Sequence, residues 1–268
     1  MKVVLGGCAR DIANDIEISL NDMIKVGEEC SDYVIIVYEN DSVDRTLDIL
    51  QQYARANSRI IVLSEKKVPG SRTERLAHGR NMIVNMIRRD YRQFDFFINM
   101  DMDYSQPIAF SFMDILPTWK EEWNVLTAVS RERYYDWWAF RSKDLLPYDC
   151  WDSLENKDGD CYAIDKKYSL NMPKRITRVD SAFNGIGVYR IQRIVDSNCV
   201  YVGRIGDTDK CEHVEFNKCI GNVYIHPSII TQTWEENWSI LPKKRNITPL
   251  VVVLVLILVV GYLTWIHK

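Results

Sequence analysis

The sequence lacks the features that would settle its class directly. It contains no C-x-x-C pair and no internal repeat, and histidine occurs only at positions 78, 213, 226 and 267. Strong charge of one sign is missing too. With 34 basic and 37 acidic residues the formal net charge is -3, so bulk electrostatics give no case for a nucleic-acid partner. Seven cysteines are scattered, an odd number, which fits reduced thiols in a cytosolic compartment better than a disulfide framework. Cys150 with Cys161, or Cys211 with Cys219, are the pairings that short spacing leaves open. What is present is a 268-residue chain with 47% hydrophobic residues, enough to build a sizeable core.

The opening 1-MKVVLGG-7 has one positive charge and a short apolar run, and does not read as a secretory leader. Toward the other end, 250-LVVVLVLILVVGYLTWI-266 runs without a charge. As a helix it would span roughly 25 Å, close to the hydrocarbon thickness of a bilayer. Lys243, Lys244 and Arg245 stand just before it, and positive charge on that side places the preceding domain in the cytosol. The expectation is a single-pass tail anchor over 250–266, a basic linker over 241–249 and one domain over 1–240, with halves 1–105 and 106–240.

Within that domain, strands and helices alternate. Val3 to Leu5 reads as a strand, followed by apolar positions Ile12, Ile16, Leu20 and Met23 at helical spacing. The run 34-VIIVY-38 is a fully apolar strand, and the next helix carries Val43, Leu47, Leu50 and Ala54, with Asp41 or Ser42 as its cap. A third strand, 60-IIVL-63, leads through a Lys/Pro/Gly loop to a basic helix from about Arg72 to Arg89. A fourth ends at 98-INMDMD-103. Continuous apolar strands alternating with helices predict an α/β fold whose parallel sheet is covered on both faces. Ligands of such sheets bind beyond the carboxyl ends of the strands, where the polar clusters Cys8 to Arg10, 39-ENDS-42 and Asp101/Asp103 fall. The second half is less regular: a helix near Ile108 to Leu116, a strand at 124–129, strand-like 186-IGVYRI-191, and the pair 223-VYI-225 and 229-IIT-231.

Two carboxylates that converge at a strand's exit repel, and a bound cation relieves the repulsion. Oxygen ligands favour Mg²⁺ or Mn²⁺, ions that complete their shells with water and substrate phosphates. Asp101 and Asp103 therefore imply a metal and a phosphorylated substrate. His226 or His213 could complete such a shell, or either could be a structural histidine. Arg72 and Arg80, eight residues apart and so near one helix face, could meet phosphates or be solvated. Glu39 can accept ribose hydroxyls or serve ordinary turn chemistry. Tyr134, Tyr135, Trp137 and Trp138 could floor a sugar site or pack in the core.

Taken in order, 39-ENDSVDRT-46, 72-RTERLAHGRN-81, 98-INMDMD-103, 134-YYDWWAFR-141, 180-DSAFNGIGVYR-190 and 211-CEHVEFN-217 resemble the nucleotide-sugar-dependent glycosyltransferases of the GT-A fold. Most specifically they resemble the fungal capsule-associated α-1,3-mannosyltransferase family. The resemblance implies a Rossmann-like, mostly parallel sheet and a UDP- or GDP-sugar donor. It places Ala9, Arg10, Glu39 and Asp41 near the donor's base and ribose, and Arg72 and Arg80 near its diphosphate. It has Asp101 contact the donor and Asp103 hold the ion. Glu212 or Asp136 is then the candidate catalytic carboxylate, and the acceptor a hydroxyl on a glycan, protein or lipid at a membrane surface. Two rival classes fit less well. A metal-dependent phosphatase or nucleotidyltransferase would place its D-x-D after the first strand, and a non-catalytic tail-anchored membrane or viral structural protein would not need the acidic and arginine motifs.

Overall fold

Alternating strands and helices fill the first hundred residues: β1 (Lys2–Ala9), α1 (Ile16–Glu28), β2 (Asp32–Asn40), α2 (Thr46–Ala56), β3 (Ile60–Glu65), α3 (Arg72–Asp90) and β4 (Phe96–Met100). The computed structural model describes residues 1–103, 111–115, 122–130, 134–150 and 174–231. The four strands are parallel in the order β3-β2-β1-β4. Two layers of helix explain why these strands are apolar on both sides. Val3, Leu5, Ile35 and Val37 join one core with Ile16, Leu20 and Met23 of α1 and Ile49 and Leu50 of α2. Their alternates face α3, where Gly6 lies against Ile83 and Gly79 against the ring of Tyr38.

Beyond β4 the sheet becomes mixed. It continues through β5 (Val125–Ser130), β6 (Thr177–Val179), β7 (Ile186–Arg190) and β10 (Val223–Thr231), giving the full order β3-β2-β1-β4-β7-β5-β10-β6. Strand β7 runs antiparallel between β4 and β5. A small hairpin, β8 (Arg204–Ile205) with β9 (Thr208–Asp209), stands apart. Short helices α4 (Phe112–Ile115), α5 (Ile191–Val195) and α6 (Glu212–Ile220) complete the described elements. The segments 223–225 and 229–231 are one strand, not a pair, broken in register between Ile225 and Ile230.

The loops after β1 and β2 are bonded to each other, which fixes one rim of the sheet. Asp11 donates its N–H to Ser42 Oγ (3.2 Å) and accepts from Val43 N–H (2.8 Å), while Ile12 N–H reaches Thr46 Oγ1 (2.8 Å). Ser42 and Asp41 are consequently not helix caps: α2 starts at Thr46, preceded by Arg45 with no side-chain cap. Helix α3 has the stronger start, a capping box in which Ser71 and Glu74 satisfy each other's backbone N–H groups.

Candidate active site

At the exit of β4 the chain passes through Asp101, Met102 and Asp103. Met102 is 1% exposed, and its carbonyl accepts from Ser19 Oγ at 2.8 Å. Gly7 makes this turn possible, since a Cβ there would lie 2.4 Å from Met100 O and 2.7 Å from Met102 Cγ. Residues two apart in extended chain share a face, so burying Met102 leaves both aspartates on the other side, each partly exposed. Burial pushes Asp101 up to about 7; Arg80 opposes the shift, while Asp103, Asp136 and Glu212 add to it. Asp103 is raised as well, by burial, against the pull of Arg72. Arg72 therefore acts on this pair from the first turn of α3.

Arg80 is the centre of the arrangement. Its guanidinium is 4% exposed and donates through Nε to Glu212 Oε1 (3.0 Å), through Nη1 to Asn99 Oδ1 (2.8 Å) and through Nη2 to Asp101 Oδ1 (3.2 Å). It lies 5.1 Å from the Phe183 ring centroid. An arginine held this way is a buried counter-charge for two carboxylates, and it does not present an open face to a diphosphate, as the sequence suggested. Asn99 passes the order outward by donating to Tyr201 Oη at 3.2 Å. Glu212, the first residue of α6, is 4% exposed.

Asp136 is anchored differently. Its Oδ2 accepts the N–H of Asn184 (3.0 Å) and its Oδ1 that of Ala139 (3.2 Å), and burial raises its proton affinity despite those bonds. The residue following Asn184 closes the ring: Gly185 O accepts the N–H of Asp101 at 2.9 Å.

The donor-end candidates sit on the bonded rim. Glu39 is 1% exposed, with Oε1 accepting Ser42 N–H (2.8 Å) and Oε2 accepting Ser64 Oγ (2.6 Å). Asp41, at φ 56°, accepts the N–H groups of Lys67 and Val68 and so holds the loop after β3. Ala9 is buried and Arg10 is exposed, 3.4 Å from Asp11.

No known family model matches the chain, and no curated protein does. Solved structures do match. TarS from S. aureus superposes with a TM-score of 0.53 at 13% identity, over 87% of this chain and 37% of that one. TarS 1-349 in complex with UDP gives 0.50 at 13%, over 89% and 62%. A mannosyltransferase from Pyrobaculum calidifontis, in complex with GDP-Man and Mn²⁺, gives 0.51 at 10%, over 91% and 58%. This chain has the GT-A fold. It spans between 37% and 62% of the length of those matched chains.

The remaining candidates take these places in the fold. His226 lies on β10 with Nδ1 accepting from Ser228 N–H (3.2 Å), and among the described residues no group of three His, Cys, Asp or Glu is arranged to hold a metal. His213 is sandwiched between Phe183, stacked at 3.7 Å, and Tyr201, 5.6 Å away edge-on. Its ring nitrogens make no hydrogen bond to the described residues, Nε2 standing 3.5 Å from Glu212 Oε1, and burial holds it neutral. Tyr134 and Trp137 pack edge-on with Phe140 and are core, being 1% and 4% exposed.

The cysteines also depart from the reduced-thiol expectation. Cys199 is disulfide-bonded to Cys219, Cys150 is disulfide-bonded, and Cys211 is a free buried thiol. Spacing could not show this, because the loop before Cys199 and the end of α6 meet only through the fold. Asn99 and Tyr201 were missed for the same reason: polar residues in apolar runs are a sign of a buried network, but the sequence does not say which partners they find. The apolar run 250–266 and its basic linker lie outside the described residues.

Proposed function

We propose that this chain is a metal-dependent glycosyltransferase that moves a sugar from a nucleoside-diphosphate sugar to a hydroxyl of a glycan, protein or lipid at a membrane surface. The observation that carries the reading is the Asp101/Asp103 pair at the carboxyl end of the fourth parallel strand of a GT-A sheet, backed by buried Arg80. Glycosyltransferases of this fold crystallise with UDP and with GDP-Man and Mn²⁺, which supports the donor class. The pair fits a hard cation: two partly exposed carboxylates on one side of the chain, whose proton affinity burial raises and a bound positive charge would lower. Asp101 and Asp103 would hold Mn²⁺ or Mg²⁺, which as a Lewis acid offsets charge on the departing diphosphate.

The protein's own residues divide the remaining work. Arg80 keeps Asp101 and Glu212 in place by donating to both and offsetting part of their charge. Glu212, committed to that pairing, orients the site. Asp136 is the better placed group to take the acceptor's proton, because burial raises its affinity and it has no cationic hydrogen-bond partner among the described residues. Arg72, exposed at the start of α3, is the residue available to a donor phosphate. Transfer of a hexosyl or mannosyl group from a UDP- or GDP-sugar is part of this proposal and rests on the quoted motifs.

For its setting we propose a membrane-anchored domain, on the apolar run at 250–266. The Cys199–Cys219 bond favours an oxidising face over the cytosolic one that the basic residues suggest. Function is tested by Mn²⁺-dependent hydrolysis or transfer across a panel of UDP- and GDP-sugars, with wild type beside Asp103→Ala. Turnover by wild type alone is expected. Absence of turnover and of nucleotide binding with every donor would sink the reading.

A further inference from the structure

Three consecutive residues at the entrance to β7 each touch a different part of the candidate site. Phe183 lies under the Arg80 guanidinium, Asn184 donates its N–H to Asp136, and Gly185 accepts the N–H of Asp101. Two of the three hold left-handed backbone, φ 55° at Asn184 and 87° at Gly185. A side chain is tolerated there chiefly when it is Asn or Asp, whose short polar group bonds locally.

Asn184 is fully buried and each of its polar groups is engaged. Its Oδ1 accepts the Tyr135 N–H (3.3 Å), and its Nδ2 donates to Ser130 Oγ (2.8 Å) and Thr231 Oγ1 (3.1 Å). Its carbonyl meets Thr231 Oγ1 at 3.0 Å. Ser130 ends β5 and Thr231 ends β10, so the side chain is bolted to the termini of two neighbouring parallel strands. A turn needing only its own shape would not require those bonds.

We propose that Asn184 is a positioning residue: by fastening the 184–185 turn to β5 and β10, it sets the carboxylate of Asp136 and the peptide of Asp101 relative to each other. The proposal deepens the glycosyltransferase reading and rests on it for the roles of those two aspartates. Asp101 follows β4 and Asp136 follows β5, so proton acceptor and donor site lie on two loops that meet at this turn. Small displacements of reacting groups cost large factors in rate, so such a reference has catalytic value.

The test uses the full chain and compares wild type with Asn184→Ala, Asn184→Gly and Leu50→Ala, the last a core truncation in α2 remote from the site. Hydrogen exchange at the Asp101 amide is read first, because it needs neither metal nor turnover. Asn184→Ala is expected to speed that exchange at least tenfold. Asn184→Gly, which keeps the turn's shape but not its anchors, should fall between it and wild type, and serves if the Ala variant does not fold. Leu50→Ala should leave the Asp101 amide protected. Once a donor is identified, Asn184→Ala should lower kcat at least tenfold with donor KM within threefold. Protection of Asp101 unchanged in both Asn184 variants, or a kcat loss no larger than in Leu50→Ala, overturns the proposal. If wild type turns over no donor, the functional reading fails, yet the exchange measurement still decides whether Asn184 sets the Asp101 peptide.

Discussion

Arg80 and Glu212 meet at 3.0 Å across 132 residues of sequence, with side chains 4% and 5% exposed. A pair so buried is held less by its own attraction than by the cost of separating it: either charge alone, desolvated, is worse than both together. Arg80→Met should destabilise the domain by about 3–5 kcal/mol, the range for breaking a buried pair from one side. Arg80→Met with Glu212→Leu should cost less than the sum of the two single changes. Urea unfolding of the four proteins measures the coupling directly.

Asp101 carries a pH signature of its own. Its folded proton affinity, pushed up to about 7, exceeds that of an unfolded aspartate near 3.9. Between those values the unfolded chain has released the proton and the folded chain has not, so this group lowers stability as pH rises from about 4 to about 7. Asp101→Asn should raise Tm at pH 8 and leave it unchanged at pH 4. The gain is limited by the one-third exposure of the side chain.

Mn²⁺ should act in the opposite sense. Binding displaces protons from the aspartate pair, so its stabilising effect should be larger at pH 8 than at pH 6. Thermal scans with and without the ion at both pH values check this. Equal shifts at the two values would disconnect the ion from Asp101.

The Cys199–Cys219 bond closes a loop of sequence separation 20 that also crosses α3. Arg88 donates to the carbonyls of Ile194, Ser197 and Cys199, and Asn81 exchanges two bonds with the Tyr201 backbone. Cys199→Ser with Cys219→Ser should cost about 3 kcal/mol on loop-closure grounds. For a domain of this size that is roughly 6–12 °C in Tm. Non-reducing electrophoresis of the native protein gives an independent check on the pairing.

Gly203 ends that crossing against the start of α3. A Cβ at this position would lie 2.1 Å from Thr73 O and 2.5 Å from Glu74 N, both backbone atoms that cannot turn aside. Gly203→Ala should therefore cost about 1–3 kcal/mol, as overpacking does. It should also loosen Tyr201, read as faster exchange of the Tyr201 amide, which Asn81 Oδ1 holds at 2.8 Å.

How much of this was legible depended on whether the determinants were local. The run 34-VIIVY-38 declares a strand buried on both faces, and Val34 to Tyr38 are at most 5% exposed. The abrupt end of the apolar run at 101-DMD-103 placed the aspartates at a strand's end, which is where they stand. Beyond that point the fold depends on distant partners. Nothing in 186-IGVYR-190 says that it inserts antiparallel between β4 and β5. Arg80 reads as one more charge on a basic helix until Asn99 and Glu212 close around it. The caps expected at Asp41 and Ser42 failed because those side chains bond across to neighbouring loops, an option that local propensity does not weigh.

The Arg80–Glu212 pairing has a consequence in the order of synthesis. Arg80 and Asp101 leave the ribosome with the first strands, but Glu212 follows Arg80 by 132 residues, about 7–26 s at usual elongation rates. For that interval the growing chain holds a central cation with only part of its final counter-charge. The parallel half of the sheet can assemble early. The site itself can be completed only after α6 has emerged, and a chain truncated before residue 212 would keep the parallel strands β1 to β4 while lacking β10 and the charge balance at the strand ends.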